Sequence, residues 1–152
     1  MPNLKYTWGE FKDDVPLLAA QVLKIQIPNL IISVTRGGAI LGTTLSYCLD
    51  VPVVYFDPKK HIIDSLELNP KDNILIVDDI NDTGFTLESI NNQLIKAFPS
   101  NLTVLRDKNI RVESTRYLTI FNNKGSIFEV DYFIRPLDKR KDDVWILFPW
   151  EG

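Results

Sequence analysis

Apolar positions along the chain alternate between two periods. From about Trp8 to Lys24, Trp8, Phe11, Val15, Leu18, Ala19 and Val22 recur at helical spacing, which predicts an amphipathic helix. Thr7 stands where its N-cap belongs, with Glu10 three residues on completing a capping-box pattern. Leu30–Val34 is a short β-branched apolar run closed by Gly37-Gly38, which predicts a buried strand. A helix over Ala39–Leu49 and a strand over Val53–Phe56 follow, then a strand over Asn73–Val77. Leu87, Ile90, Leu94, Ile95 and Phe98 predict a helix over Thr86–Phe98. Tyr117–Phe121, Val130–Ile134 and Val144–Phe148 complete the predicted strands. Apolar strands alternating with helices imply an α/β fold whose mostly parallel twisted sheet is flanked by helices on both faces. Ligands of such sheets bind beyond the C-terminal ends of the strands, so the loops after Val34 and Val77 are the places to look for chemistry.

The chain has 152 residues and 45% hydrophobic content, enough for one domain with a sizeable core. We find no repeats and no low-complexity linker, so residues 1–152 are read as a single domain. A net charge of −3 offers no general attraction to nucleic acid. Any phosphate ligand must therefore be held by local cations and backbone amides. No apolar run reaches the roughly 18 residues that a membrane span needs, and MPNLKYTWGEF lacks a secretory pattern. A lone Cys48 fits a reducing compartment and is expected to be a small buried apolar residue. The expected location is cytoplasmic.

The loop after Val77 reads Asp78-Asp79-Ile80-Asn81-Asp82-Thr83-Gly84-Phe85-Thr86. A helix N-cap at Asp82 or Thr83 would explain one acidic residue, not three with Thr-Gly-x-Thr behind them. Adjacent carboxylates can accept hydrogen bonds from vicinal sugar hydroxyls. Amides at the following helix start can hold a phosphate, Thr83 and Thr86 add hydroxyls, and Gly84 permits close backbone approach. A receiver domain also has paired aspartates after a strand, but after its first strand, whereas three predicted strands end at or before this pair.

The segment resembles the signature of type I phosphoribosyltransferases: an apolar strand, two acidic residues, two others, then D-T-G-x-T. The resemblance implies a fold with a small base-binding hood and a substrate, phosphoribosyl pyrophosphate, whose ribose hydroxyls Asp78 and Asp79 hold. Asp79 would also lie near a bound Mg²⁺. Asp82 would face the nucleobase as the catalytic residue, and Asp82, Thr83, Gly84, Phe85 and Thr86 would surround the 5′-phosphate. The loop Ser33–Gly42 is not the dinucleotide pattern, since its glycines are adjacent; alone it reads as a Gly-rich turn. Beside the acidic loop it resembles the family's pyrophosphate loop, with Thr35, Arg36, Gly37 and Gly38 around the diphosphate and a cis peptide at Thr35–Arg36.

The tail DVWILFPWE, the start YTWGEF and the TIF at 119–121 resemble the small 6-oxopurine branch, so the likeness covers nearly the whole chain. It implies Trp145 against the base and the backbone of Ile146 reading an exocyclic group. Otherwise Trp145 is a core aromatic, and Phe148 and Trp150 are assigned to packing or a subunit contact. Residues 57–72 are short and lack the branch's Ser-Tyr pair, leaving Lys59 and Lys60 to cover pyrophosphate or to lie on the surface; His61 is expected exposed. Extra length at 98–115 reads as a surface or subunit-contact elaboration, and Lys139-Arg140-Lys141 as a solvated turn. The branch's base-reading Lys position falls on Asn123, with Lys124 one residue away. A neutral amide there would weaken use of 6-oxopurines or make it less selective, which keeps a pyrimidine or other base open. A ligand-sensing regulator that catalyses nothing is the other class. Expected partners are phosphoribosyl pyrophosphate, a nucleobase and further copies of the chain in a dimer or tetramer, with no nucleic acid and no membrane.

Overall fold

The structure is a computed structural model and describes residues 1–105 and 109–152. Strand β1 (Asn3–Lys5) leads into helix α1 (Trp8–Ile25), then β2 (Leu30–Val34), α2 (Ala39–Leu49) and β3 (Val53–Phe56). After a loop with a short 3-10 turn at Ile63–Leu66 come β4 (Ile74–Val77), β5 (Ile80–Asn81) and α3 (Phe85–Ala97). The rest is β-rich: β6 (Leu102–Val104), β7 (Ile110–Val112), β8 (Thr115–Leu118), β9 (Phe121–Asn123), β10 (Arg135–Leu137) and β11 (Trp145–Leu147). Helix α1 starts at the predicted cap: Glu10 N donates to Thr7 Oγ1 at 3.1 Å and Thr7 N to Glu10 Oε1 at 3.2 Å.

The central sheet has the order β3-β2-β4-β8 and is parallel throughout. Its strands are apolar on both faces, as a covered parallel sheet requires. Ile31, Leu75, Val77 and Leu118 face α1 and α2, packing with Leu18, Val22, Leu41 and Leu45. Ile32, Val34, Ile74, Ile76 and Tyr117 face α3, packing with Leu87, Ile90 and Leu94. A second, smaller parallel sheet, β10-β9-β5, sits beyond the C-terminal ends of β4 and β8. Pro136 lies in its edge strand β10, where a missing amide proton is tolerated. The chain ends meet in a parallel pair, Leu4 opposite Ile146.

Three expectations change. The single strand Tyr117–Phe121 is two strands, β8 and β9. The chain leaves the central sheet at Thr119, whose Oγ1 donates to Phe121 O at 2.9 Å, and joins the small one. Val130–Ile134 is not a strand: it makes one bridge, Tyr132 to Leu118. Asp131 Oδ2 takes the Tyr117 amide at 2.8 Å, so a side chain fills a place that a ladder carbonyl would occupy. Pairing resumes at Arg135. Cys48 is exposed rather than buried, because the buried stripe of α2 runs through Leu41, Leu45 and Leu49. The 98–115 segment forms an antiparallel pair, β6 with β7; its residues 106–108 lie outside the described residues. Among the described residues no helix is long and apolar enough to cross a membrane.

Candidate active site

Parallel pairing of β2 with β4, Ser33 opposite Val77, brings the two suspected loops together by register alone. The contact is close. A methyl at Gly37 would lie 2.6 Å from Asp79 Oδ2, and one at Gly38 would lie 2.5 Å from the carbonyl of Val77 and 2.9 Å from Asp78 Cα. Only glycines let the backbone of the first loop rest on the acidic strand end. The Thr35–Arg36 peptide is cis, as the resemblance implied. Arg36 is exposed at the rim.

The acidic strand end is tied to the end of β8 and to the start of the small sheet. Asp78 N donates to Leu118 O at 3.1 Å, and the Asp79 carbonyl accepts from Ile120 N and Phe121 N at 3.1 and 3.2 Å. Asp79 N donates to Asp78 Oδ1 at 2.8 Å. Burial, then the neighbouring Asp79, pushes the Asp78 carboxyl well above the usual carboxylate range. Asp79 is raised too, chiefly by burial, with the Glu151 carboxylate at the chain's end adding to it. Crowded, poorly hydrated carboxylates of this kind suit a cation or a set of hydroxyl donors. Among the described residues no three His, Cys, Asp or Glu side chains form a metal cage. A Mg²⁺ held by Asp79 would therefore take most of its oxygens from substrate and water, its usual mode in phosphate chemistry.

Past Asp79 the chain turns through a built bend. Asn81 is buried, and its Nδ2 donates to Asn122 Oδ1 at 2.8 Å and Phe128 O at 2.7 Å. Its Oδ1 accepts from Ser126 Oγ at 3.0 Å. Ile127 N donates to Thr83 O at 2.9 Å. Gly84, at φ +92°, sits so close to Ser126 and Phe128 that a methyl would lie 2.4 Å from Ser126 Oγ; position and dihedral both demand glycine. Phe85 N donates to Thr83 Oγ1 at 3.3 Å, opening α3. Thr83, Phe85 and Thr86 are exposed, so the first turn of α3, with its unclaimed amides, faces solvent as an anion site would.

Asp82, Asn123, Trp145 and Lys139 converge beside this turn. Asn123 Nδ2 donates to the Asp82 carbonyl at 3.1 Å and to Asp82 Oδ1 at 3.3 Å. Asn123 Oδ1 accepts from Lys139 N at 3.2 Å and Gly125 N at 3.4 Å. Lys139 Nζ meets Asp82 Oδ2 at 2.8 Å and lies 5.9 Å from the Trp145 ring centre. Lys139 is thus not part of a solvated turn. Its side chain is 16% exposed, held inward because its own amide is fixed to Asn123. Arg140 does point outward, paired to Asp138. Lys124 is exposed and only its amide is engaged, donating to Leu137 O. Trp145 is 53% exposed and Ile146 buried. Trp145 N donates to Pro2 O and Tyr6 N to Leu147 O. Since alternate residues of a parallel strand bond one neighbour, the Ile146 amide and carbonyl face away from β1. Phe148 and Trp150 belong to packing: their rings stack 5.0 Å apart and Trp150 meets Phe11 edge-on. Lys59, Lys60 and His61 are exposed just after β3, with the Lys60 and His61 amides on Asp57 O.

Residues 6–146 match the phosphoribosyl transferase domain. The chain belongs to that family. It is a phosphoribosyltransferase with the expected type I fold. A xanthine-guanine phosphoribosyltransferase of Desulfotalea psychrophila is 26% identical over 155 aligned residues, spanning 95% of this chain and 84% of the relative. A purine phosphoribosyltransferase of Pyrococcus horikoshii has the same fold, with TM-score 0.77 and 24% identity over 100% of this chain and 96% of the other. The xanthine-guanine-hypoxanthine phosphoribosyltransferase of Helicobacter pylori gives TM-score 0.78 and 24% identity over 98% and 92%. Sequence reasoning missed Asn81, Lys139 and Glu151. The pairing of Asn81 with Asn122 hides in two Asn-rich strands, and nothing in a Lys-Arg-Lys triplet marks which member turns inward.

Proposed function

We propose that this phosphoribosyltransferase moves the 5-phosphoribosyl group from phosphoribosyl pyrophosphate to a ring nitrogen of a purine base, most suitably a 6-oxopurine, with Mg²⁺. The observation that carries this reading is the contact of Gly37 and Gly38 with the Asp78–Asp79 strand end, with Asp82 on the adjoining bend. It supplies a loop with backbone amides and Arg36 for an anion, a pair of hydroxyl acceptors and a further carboxylate. The names of the relatives support a purine as acceptor.

In this reading Asp78 and Asp79 accept from the ribose hydroxyls. Asp82, Thr83, Gly84, Phe85 and Thr86 surround the 5′-phosphate, with the α3 amides as donors. The amides of Gly37 and Gly38 and the Arg36 guanidinium hold the leaving diphosphate, aided by Thr35. A magnesium ion held by Asp79 would neutralise diphosphate charge. The bond from the anomeric carbon to the diphosphate oxygen breaks and one to the base nitrogen forms. The proton the base loses, carried on the neighbouring nitrogen of its imidazole ring, leaves by way of Asp82 or solvent. Trp145 covers the base, and the free edge of Ile146 bonds an exocyclic group. Asn123 orients Asp82, and Lys124 stands at the rim. Holding both substrates in line supplies a large part of the acceleration.

The test is incubation with phosphoribosyl pyrophosphate, Mg²⁺ and, separately, guanine, hypoxanthine, xanthine, adenine and uracil, following pyrophosphate release and the nucleotide product by mass. Turnover with at least one 6-oxopurine is expected. Binding of phosphoribosyl pyrophosphate without release for any base would make the chain a sensor.

A further inference from the structure

We infer that Lys139, on the turn after β10, is the specificity-determining residue that makes this site select a base carrying an oxo group beside its reacting edge. The inference rests on the reading above. Asn123 cannot easily supply that contact, because its amide is committed on both sides: Nδ2 to Asp82 and Oδ1 to the amides of Lys139 and Gly125. Lys124 is exposed. The ammonium that does reach the site comes from a different loop.

Its placement is built rather than incidental. Strand β10 runs in register with β9, Leu137 opposite Asn123, and Lys124 N closes on Leu137 O at 2.7 Å. The turn that follows is fastened by Lys141 N and Asp142 N, both donating to Asp138 O at 3.0 Å. Asp138 draws Arg140 outward, with Nε at 2.9 Å. Lys139, between them, is the residue left facing the site, and its stem is largely covered. At the upstream end, Arg135 anchors β10 to α1 through Asp14 at 2.7 Å and Glu10 at 3.0 Å.

Lys139 Nζ and Asp82 Oδ2 therefore offer a donor and an acceptor 2.8 Å apart, next to the exposed face of Trp145. A 6-oxopurine protonated at N7 shows the complementary pair, an acceptor oxygen beside an N–H, at a similar spacing. It can part the two side chains and give each a new partner, so no charge is stranded. A 6-aminopurine sets its own donor against an ammonium that has only donors, and Lys139 then has no partner on the base. Asn123 acts as a positioning residue that holds both halves of this pair.

The experiment measures kcat and KM for guanine, hypoxanthine and adenine at saturating phosphoribosyl pyrophosphate in wild type, Lys139→Met, Lys139→Arg, Lys124→Met and the surface control Arg140→Met. In parallel, calorimetry follows binding of phosphoribosyl pyrophosphate, guanosine monophosphate and adenosine monophosphate. Lys139→Met should lose about 10- to 100-fold in kcat/KM for the 6-oxopurines, the size of a charge-assisted hydrogen bond. It should lose little for adenine, leave phosphoribosyl pyrophosphate affinity within about twofold of wild type, and be partly rescued by Lys139→Arg. Unchanged guanine use in Lys139→Met, an equal loss for every base and for phosphoribosyl pyrophosphate, or a loss that follows Lys124→Met instead would overturn the inference. If wild type turns over no base, the functional reading fails and the nucleotide titrations decide. Preference for guanosine over adenosine monophosphate that Lys139→Met abolishes supports the inference; equal binding of both by wild type refutes it.

Discussion

The sharpest structural test compares Gly38→Ala with Gly37→Ala. At Gly38 the backbone has φ −85° and ψ −2°, which alanine adopts freely, so any cost is steric. Its methyl would lie 2.5 Å from Val77 O, 2.8 Å from Val34 O and 2.9 Å from Asp78 Cα. All three are backbone atoms of packed strand ends and none can rotate away. Carbon contacts are comfortable only near 3.5 Å, so the two loops must part by roughly an ångström. Overpacking of this kind costs about 1–3 kcal/mol, and rigid neighbours put Gly38→Ala at the upper end. At roughly 2–4 °C per kcal/mol for a chain of this size, Tm should fall by about 6–12 °C. At Gly37 the methyl meets the Asp79 carboxylate, at 2.6 and 2.8 Å from its oxygens. That side chain can turn, so Tm should change by no more than about 4 °C. In the proposed function, however, turning it removes an acceptor from the sugar, and affinity for phosphoribosyl pyrophosphate should drop at least about tenfold, the value of one good hydrogen bond to a charged group. Differential scanning calorimetry and titration calorimetry read the two effects. If both variants melt and bind like wild type, or if Gly37→Ala is the less stable, the loops do not touch as described.

Three further outcomes follow from the same geometry. Asp78 is held above its ordinary pKa by burial and by Asp79. The folded chain therefore binds more protons than the unfolded one, and the carboxylate's contribution turns against folding as pH rises past about 4. Asp78→Asn should be the more stable protein at pH 8 by about 1 kcal/mol, with the gap closing toward pH 4 in thermal melts; a lower Tm than wild type at pH 8 would contradict this. Asp14 is buried and accepts from Tyr6 Oη at 2.7 Å and Arg135 Nε at 2.7 Å, so Asp14→Ala should lose about 2 kcal/mol in denaturant unfolding. Asp82→Asn should lower kcat by about 100-fold or more while affinity for phosphoribosyl pyrophosphate changes only a few-fold, and a loss confined to affinity would make Asp82 a binding residue alone.

The central sheet and three helices were legible because their signals are local. Runs such as Leu30–Val34 and Ile74–Val77 are apolar on both faces, and Thr7 with Glu10 announces α1. The two loops were legible because their chemistry sits in contiguous residues. What escaped was tertiary. Strand β1 is three polar or exposed residues whose partner, β11, lies at the other end of the chain. Val130–Ile134 has strand composition, but the Asp131 side chain occupies the Tyr117 amide and breaks the ladder. Lys139 looked like one member of a basic turn; its direction depends on backbone hydrogen bonds to Asn123 and Asp138, which no spacing reveals. Cys48 lies on a helix short enough that three leucines define its buried face.

The central claim is that the cradle between residues 35–38 and 78–86 binds phosphoribosyl pyrophosphate. The most direct measurement is a calorimetric titration of that compound, with Mg²⁺, into wild type and into Asp78→Asn/Asp79→Asn, circular dichroism confirming that both are folded. Saturable binding by wild type and none by the double variant is the predicted result, and equal affinity in the two proteins would contradict it.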